Sequence, residues 1–224
     1  MKHHLFAATA LAGLLLAVPA LAQETRTIAV SVPAATHGWT GGVVYHAQKA
    51  AEEIQAAFPN IQVVVKTSPS AAAQVSALED LTATGDLDAL VILPFSSDEL
   101  TGPVQAVADR GTFITVVDRG LTDPEIQDLY VAGDNIAVGS TTAKFLVDAL
   151  GGKGDVVVLR GIPTVIDDER IQGFQEGLEG SDIKILDIQY ANWNSDEAFS
   201  LMQDYLAKYP HIDAVWANDD DMLL

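Results

Sequence analysis

The chain has 224 residues, of which 49% are apolar and 19% charged, and it contains no cysteine. This composition excludes a disordered tail, a disulfide scaffold and any site built on a cysteine thiolate. With 31 acidic and 12 basic residues the net charge is −19, so binding to nucleic acid or to an anionic lipid surface is not expected. The length fits one large domain or two domains of ~100 residues each.

The first 22 residues have the features of an export signal. Lys2 gives a positive start, residues 5–18 are almost wholly apolar, and the ALA triplet at 20–22 offers small residues for cleavage. The apolar run is short for a membrane span, which needs ~20 residues. We therefore expect residues 1–22 to be a cleaved signal peptide and the mature protein to begin at Gln23 in the periplasm. A buried N-terminal helix or an uncleaved anchor is the alternative.

Short runs rich in valine and isoleucine alternate with stretches of helical periodicity along the rest of the chain. Several of these runs are apolar at consecutive positions, which is typical of parallel strands covered on both faces. Helical spacing occurs across residues 40–58 and around Leu100, Phe145, Ile171 and Ala198. The alternation predicts an α/β fold with parallel sheets and right-handed crossovers. The predicted strands are Thr27–Val32, Ile61–Val65, Ala89–Leu93, Thr112–Val117, Leu129–Ala132, Asp155–Leu159, Ile183–Ile188 and Ala214–Ala217.

A weak internal repeat indicates two similar halves. Asp86–Leu93 (DLDALVIL) and His211–Ala217 (HIDAVWA) are alike, and each begins a predicted strand after a predicted helix. The polar stretch Gly120–Asp128 is a candidate for the passage between the halves, with the crossing near Gly133-Asp134. We expect an N-terminal lobe over residues 23–133 and a C-terminal lobe over residues 134–224.

Residues that directly follow strands are the candidates for ligand contacts, because open parallel sheets bind ligands at the carboxyl ends of their strands. Here they include aromatic rings, which cover the C–H faces of a sugar or polyol, and polar groups, which bind its hydroxyls. Trp39 and Trp193 follow strands, whereas Trp216 lies within a strand and is expected in the core. Some of these residues also have interpretations that involve no ligand. Asp118 and Arg119 could form a simple ion pair, and Asp219–Asp221 could be acidic residues that start a helix.

The order of these segments resembles the periplasmic sugar-binding proteins of the ribose-binding type, across essentially all of residues 26–224. The matching strings are TIAVSVPAATHGWTGGVVYHAQKAAEEI, ALVILPFSSDEL, ITVVDRG, VAGDN, GIPTVIDDERIQGFQEGL and DAVWANDDDML. The resemblance implies two Rossmann-like lobes joined by a hinge, which close on one sugar and deliver it to a membrane ABC permease. It implies a monomer that is not an enzyme and needs no cofactor or metal. Because members of the family are longer, it also implies a second lobe that is incomplete at Leu224.

The same resemblance implies a set of ligand-binding positions. By position they are His37, Trp39, Thr40, Asp118, Arg119, Asp168, Arg170, Trp193 and Asp219. Trp39 and Trp193 match aromatic residues on opposite lobes, so we expect them to enclose the ligand. Alanine at either position of the full-length protein should weaken binding while the protein still folds. Thr40 replaces a second aromatic residue and Leu93 replaces a polar contact. These departures favour another pentose, a hexose or a sugar alcohol over ribose itself.

Other functions are compatible with this class of fold. The effector-binding domain of a lactose-repressor-type regulator would need a DNA-binding segment, against which the export signal and the negative charge argue. An exported α/β hydrolase would need a G-x-S-x-G nucleophile elbow, and the sequence has none. It also lacks the H-E-x-x-H and calcium-loop patterns of metal sites. A sugar receptor for chemotaxis or signalling remains open beside transport.

Overall fold

The computed structural model describes residues 24–36 and 38–224. The predicted signal peptide, the predicted mature start at Gln23 and the candidate ligand residue His37 lie outside the described residues. Within the described part of the chain, no helix is both long and apolar enough to span a membrane.

The described residues alternate strands with helices, as the sequence pattern predicts. The strands are β1 Arg26–Pro33, β2 Ile61–Ser68, β3 Ala89–Ile92, β4 Phe113–Val117, β5 Leu129–Val131, β6 Lys153–Arg160, β7 Asp182–Tyr190 and β8 Ala214–Ala217. The α-helices are α1 Gly38–Ala57, α2 Ala71–Ala83, α3 Ser97–Ala108, α4 Asn135–Ala149, α5 Val165–Leu178 and α6 Ser195–Lys208. Two short 3-10 turns lie at Pro124–Ile126 and Asp220–Leu223. Every predicted strand is present, with small shifts at the ends.

These strands form two separate parallel sheets. The first has the order β2-β1-β3-β4-β5 and the second the order β7-β6-β8. Central strand residues such as Leu90, Ile92, Val156 and Val158 are fully buried, because helices cover both faces of a parallel sheet. The predicted fold class, two α/β lobes with parallel sheets, is confirmed.

The internal repeat corresponds to a shared arrangement of strands. Asp88 precedes β3 and its carboxylate accepts the Thr27 N–H of β1 at 2.7 Å. Asp213 precedes β8 and accepts the Asp155 N–H of β6 at the same distance, 2.7 Å. The repeat therefore pairs β3 with β1 in the first sheet and β8 with β6 in the second. In each pair an aspartate accepts a backbone N–H near the start of the neighbouring strand, β1 or β6.

The sequence predicts a helix before Asp86 but not its bounds; it is α2. Its buried face includes Gln74, a polar residue that interrupts the apolar period. The Gln74 amide nitrogen donates to Ser31 Oγ at 3.1 Å and to the Leu93 carbonyl at 3.0 Å, and its oxygen accepts the Phe95 N–H at 2.7 Å. These bonds compensate for burying the amide, and they tie α2 to the carboxyl ends of β1 and β3.

The predicted passage between the halves at Gly120–Asp128 is wrong. This stretch lies between β4 and β5, which are paired in the first sheet, and it contains the Pro124–Ile126 turn. Only residues 132–134 separate β5 from α4. The carboxylate of Asp134 accepts the Ala137 N–H at 2.9 Å, so this short connection also caps the first helix of the second half.

Candidate ligand-binding site

A cavity of about 270 Å³ lies between the two sheets, lined by residues that follow strands of both. Its volume is near the lower end of the range for small-molecule sites, roughly 300–1,000 Å³. We call it the cleft. Its lining consists of Trp39, Asp118, Arg119, Gly133, Asn135, Val138, Ile166, Arg170, Trp193, Asp219 and Asp220.

A second cavity, of about 630 Å³, lies between α1 and the first sheet. Its lining is apolar except for His46. A hydroxyl-rich ligand would lose its hydrogen bonds to water there and gain few in return. The cleft, with its charged and aromatic lining, is therefore the better candidate for a polar ligand.

Arg119 follows β4 and enters the cleft from the first lobe, with only 2% of its surface exposed. One guanidinium nitrogen donates to the carbonyls of Phe95 at 3.1 Å and Pro94 at 3.4 Å. Burial lowers the pKa of Arg119 to about 10, and the positive charge of Arg170 acts in the same direction. Arg119 nevertheless stays protonated at neutral pH. Its Nε has no partner within the described residues, and a buried donor without an acceptor costs ~1–3 kcal/mol.

Asp118 precedes Arg119 in an uncommon backbone conformation. Its φ is 61°, in the left-handed region that favours glycine. The Tyr130 hydroxyl donates to the Asp118 carbonyl at 2.7 Å and holds the backbone in this turn. Such local strain is concentrated at binding and catalytic sites. Asp118 is buried and lines the cleft.

Trp193 enters the cleft from the second lobe as part of that lobe's core. It is 6% exposed, and φ is in the left-handed region for both Asn192 (54°) and Trp193 (53°). The Arg119 guanidinium lies 4.8 Å from the Trp193 ring centroid, a cation–π contact between the two lobes. A Cβ at Gly161 would overlap the Trp193 ring, so only glycine fits there.

Trp39 lies in the first turn of α1 and is 55% exposed. Both predicted aromatic residues therefore line the same cleft, but Trp39 is largely exposed and Trp193 is packed. Trp216 is buried, stacks on Phe174 with ring centroids 4.4 Å apart, and donates its indole N–H to Thr142 at 2.9 Å. Its predicted place in the core is confirmed.

Arg170 lies on α5 rather than in a loop, because residues 166–170 form the first turns of that helix. Asp167 and Asp168 favour a helix start, since acidic side chains stabilise the positive end of the helix dipole. The Arg170 guanidinium donates to Asn135 Oδ1 at 2.9 Å and to the carbonyl and side-chain oxygens of Asn218 at 3.0 and 3.1 Å. Arg170 reaches the cleft in this fixed position.

Two predicted ligand residues lie outside the lining of the cleft. The Asp168 side chain is 71% exposed and pairs with Arg160. Thr40 is buried, and its hydroxyl accepts the Thr36 N–H at 3.1 Å, which holds the loop before α1. Asp219 does line the cleft and also caps the following 3-10 turn by accepting the Asp221 N–H at 2.9 Å.

Sequence reasoning missed several residues that the structure brings to the cleft. Asn135 ends the VAGDN string but was not named as a site residue, although it lines the cleft and holds Arg170. Asn218 does not line the cleft but bonds Arg170 and Trp193, which do; it follows β8 directly, and that strand-end position was a usable signal. Val138 and Ile166 are apolar helix residues that the sequence marks only as core. Among the described residues, no group of three or more histidine or acidic side chains could hold a metal ion.

Two α/β lobes, each built on a parallel sheet, with a polar and aromatic cleft between them define a two-lobed binding protein. The family described as "Periplasmic binding protein domain" matches residues 28–224. The chain belongs to this family, which confirms the resemblance seen in the sequence.

Characterised relatives bind sugars or polyols according to their names. The xylitol-binding protein of Mycolicibacterium smegmatis is 31% identical over 167 residues, which is 73% of this chain and 47% of that protein. The ribose import binding protein RbsB of Bacillus subtilis is 29% identical over 163 residues, or 72% of this chain and 52% of that protein. The chain thus spans about half the length of these curated relatives.

A solved structure shows the same fold. The crystal structure of an ABC transporter periplasmic solute binding protein from Actinobacillus succinogenes, with bound D-allose, superposes with a TM-score of 0.71 at 26% identity. The superposition covers 88% of this chain and 70% of that chain. These similar proteins are binding proteins rather than enzymes.

Proposed function

We propose that the chain is the solute-binding component of an ABC importer in the periplasm and that it binds one neutral sugar or sugar alcohol between its lobes. The observation that carries the proposal is the cleft, in which each lobe contributes one tryptophan and one arginine. In this proposal the lobes divide between Gly133 and Asp134, and the protein acts as a monomer without cofactor or turnover.

The chemistry of the lining favours a ligand rich in hydroxyl groups. Tryptophan faces cover C–H surfaces, and the Arg119 and Arg170 guanidinium groups donate in fixed directions. The carboxylates of Asp118 and Asp219 accept from hydroxyls. Because the lining also contains Asp220, acidic groups outnumber the two arginines, and a neutral ligand is favoured over a sugar acid. His37 remains a predicted contact.

Contacts between the lobes support binding by closure. The Val165 N–H at the start of α5 donates to Ser97 Oγ at the start of α3, at 3.2 Å. The Gly38 N–H of α1 donates to Asp221 Oδ2 at 3.4 Å. These bonds join segments from the two halves beside the cleft, and a hinge at residues 132–134 would let both form as the lobes close on a ligand.

Calorimetry with xylitol, D-ribose and D-allose tests the proposal. At least one should bind, with one ligand per chain and no effect of a chelator. Trp39→Ala should weaken binding tenfold to a hundredfold, because an aromatic face at a binding hot spot contributes ~2 kcal/mol or more and ~1.4 kcal/mol is tenfold in affinity. The matched control is Tyr45→Ala, an exposed aromatic residue on the same helix outside the cleft lining. Failure of all neutral sugars and polyols, or recovery of a chemically altered ligand, would contradict the proposal.

Export and transport are tested in the cell. The periplasmic extract should contain a species that begins at Gln23 by mass spectrometry, and a periplasmic form that retains Met1 would contradict cleavage. Loss of the protein should abolish uptake of the radiolabelled ligand found by calorimetry. Normal uptake combined with a lost chemotactic response would instead favour the receptor function.

A further inference from the structure

We infer that Asn218 is a positioning residue of the cleft, which sets the orientation of two second-lobe side chains proposed to contact the ligand, Arg170 and Trp193. The role in ligand binding rests on the proposed function, whereas the hydrogen bonds of Asn218 are observed in the structure. Asn218 directly follows β8 and is buried. It does not line the cleft itself; it lies behind Arg170 and Trp193, which do.

One oxygen of Asn218 serves both side chains. Asn218 Oδ1 accepts from Arg170 Nη1 at 3.1 Å and from Trp193 Nε1 at 3.4 Å. An amide oxygen has two lone pairs, so it can accept both donors at once. The Asn218 carbonyl adds a bond from Arg170 at 3.0 Å. The guanidinium and the indole are therefore oriented relative to each other through a single amide group.

The orientation of that amide is fixed from behind by a buried carboxylate. Asn218 Nδ2 donates to Asp167 Oδ1 at 2.7 Å, and Asp167 is fully buried. Asp167 is held in turn by the Gly161 N–H and by Arg160 Nε, each at 2.8 Å. Because a carboxylate only accepts, the NH₂ group of Asn218 must face Asp167. The oxygen must then face Arg170 and Trp193.

The same network ends at the connection between the lobes. Arg170 Nε donates to Asn135 Oδ1 at 2.9 Å, and the Asn135 amide donates to the Gly133 carbonyl at 3.2 Å. Arg170 therefore has a second anchor that Asn218 does not control. We expect the loss of Asn218 to disturb the Trp193 indole more than the position of Arg170, which makes Trp193 the sensitive reporter.

The indole N–H signals of the ¹⁵N-tryptophan-labelled chain, without ligand, test this inference by NMR. The chain has three tryptophans, and each gives one indole signal. Asn218→Leu, which has similar volume but no donor or acceptor, should shift the Trp193 signal strongly. The Trp216 signal should stay close to its place, because that indole donates to Thr142. Thr142→Val is the matched control and should shift the Trp216 signal while leaving that of Trp193 in place.

An unshifted Trp193 signal in folded Asn218→Leu would overturn the inference. Since Asn218→Leu leaves the Asp167 carboxylate without one donor and can impair folding, Asn218→Ala serves as a second variant that leaves room for water. Hydrogen exchange of the indole N–H groups in the unmodified chain tests independently whether the Trp193 indole is held. The Trp193 indole should exchange far more slowly than that of the exposed Trp39, and equal rates would contradict a held indole.

Calorimetry with the sugar or polyol that the unmodified chain binds tests whether Asn218 affects ligand affinity. Asn218→Ala should weaken binding about tenfold, because it releases two side chains that face the ligand. Unchanged affinity would overturn the positioning role. If the unmodified chain binds none of xylitol, D-ribose and D-allose, the proposed function fails, while the indole signals still decide whether Asn218 holds Trp193.

Discussion

Each lobe brings one tryptophan and one arginine to the cleft, but the two pairs are held very differently. In the first lobe Trp39 is 55% exposed, and Arg119 is fixed by backbone carbonyls. In the second lobe Trp193 is 6% exposed and Arg170 is bonded to two asparagines. The same two residue types therefore have unequal roles in the two lobes. A side chain packed in the core contributes to stability and to binding together, whereas an exposed one contributes to binding alone.

The packing of the helices accounts for part of this difference. In the second lobe a Cβ at Gly139 would overlap the Arg170 carbonyl, and a Cβ at Gly173 would overlap the Ile136 carbonyl. Helices α4 and α5 thus approach backbone to backbone. In the first lobe a Cβ at Gly42 of α1 would meet nothing within 4 Å. The second lobe holds Arg170 on a tightly packed helix, and the first holds Trp39 on a loosely packed one.

The largest expected difference between the lobes is in the loss of stability when each tryptophan of the cleft is replaced by alanine. Trp193→Ala should lower the free energy of unfolding by about 3–5 kcal/mol, because it leaves a cavity in the second-lobe core. Trp39→Ala should change it by less than about 0.5 kcal/mol, as for an exposed residue. Chemical denaturation measures both. Both variants are still expected to fold, and equal losses of stability would remove the contrast between the lobes.

Alanine at a helix glycine tests the packing difference directly. Gly173→Ala should destabilise the protein by about 1–3 kcal/mol or more, because neither backbone can yield without separating α4 from α5. Gly42→Ala should be neutral or stabilising by up to about 1 kcal/mol, since alanine has lower conformational entropy in the unfolded chain and meets no obstacle. Thermal melts of both variants check this. A tolerated Gly173→Ala would show that the helices are not tightly packed.

The smallest expected difference between the lobes concerns the pKa values of Asp88 and Asp213, which precede β3 and β8. The pKa of Asp88 lies below its ordinary value chiefly through the Arg26 side chain, and that of Asp213 chiefly through the backbone N–H of Asp155. Arg26→Met should therefore raise the pKa of Asp88 clearly, whereas His211→Gln should raise that of Asp213 less. Carboxyl titration by NMR measures both shifts. Equal shifts in the two lobes would contradict the assignment of the main donors.

These lowered pKa values also set the sign of a pH effect. An aspartate with a depressed pKa in the folded state stabilises the protein above its unfolded pKa of ~3.9. That contribution is lost as the pH falls through the lower folded value. Acid denaturation of the chain should accordingly begin at a higher pH in Arg26→Met than in the unmodified chain.

Much of the fold was predictable because parallel strands are buried on both faces and are marked by consecutive apolar residues. All eight predicted strands and the place of Trp216 in the core followed from such patterns, whereas the family came from the resemblance of the quoted segments. The bounds of helix α2 did not follow from such patterns, because Gln74 occupies a core position that only its tertiary hydrogen bonds make acceptable. The link at Gly120–Asp128 was misplaced because a polar, proline-containing stretch looks the same within a lobe as between lobes.

The sequence by itself determined which residues follow the strands, and so placed Trp39, Asp118, Arg119, Trp193 and Asp219 at the right end of the sheets. Only the tertiary structure decided which neighbours reach the cleft. Asp168 and Arg170 are two positions apart on α5, and at 3.6 residues per turn such residues face opposite sides of a helix. Arg170 therefore lines the cleft while Asp168 pairs with Arg160 near the surface. The bonds that Arg170 and Trp193 donate to Asn218 likewise exist only once β8, α5 and the turn after β7 have packed together.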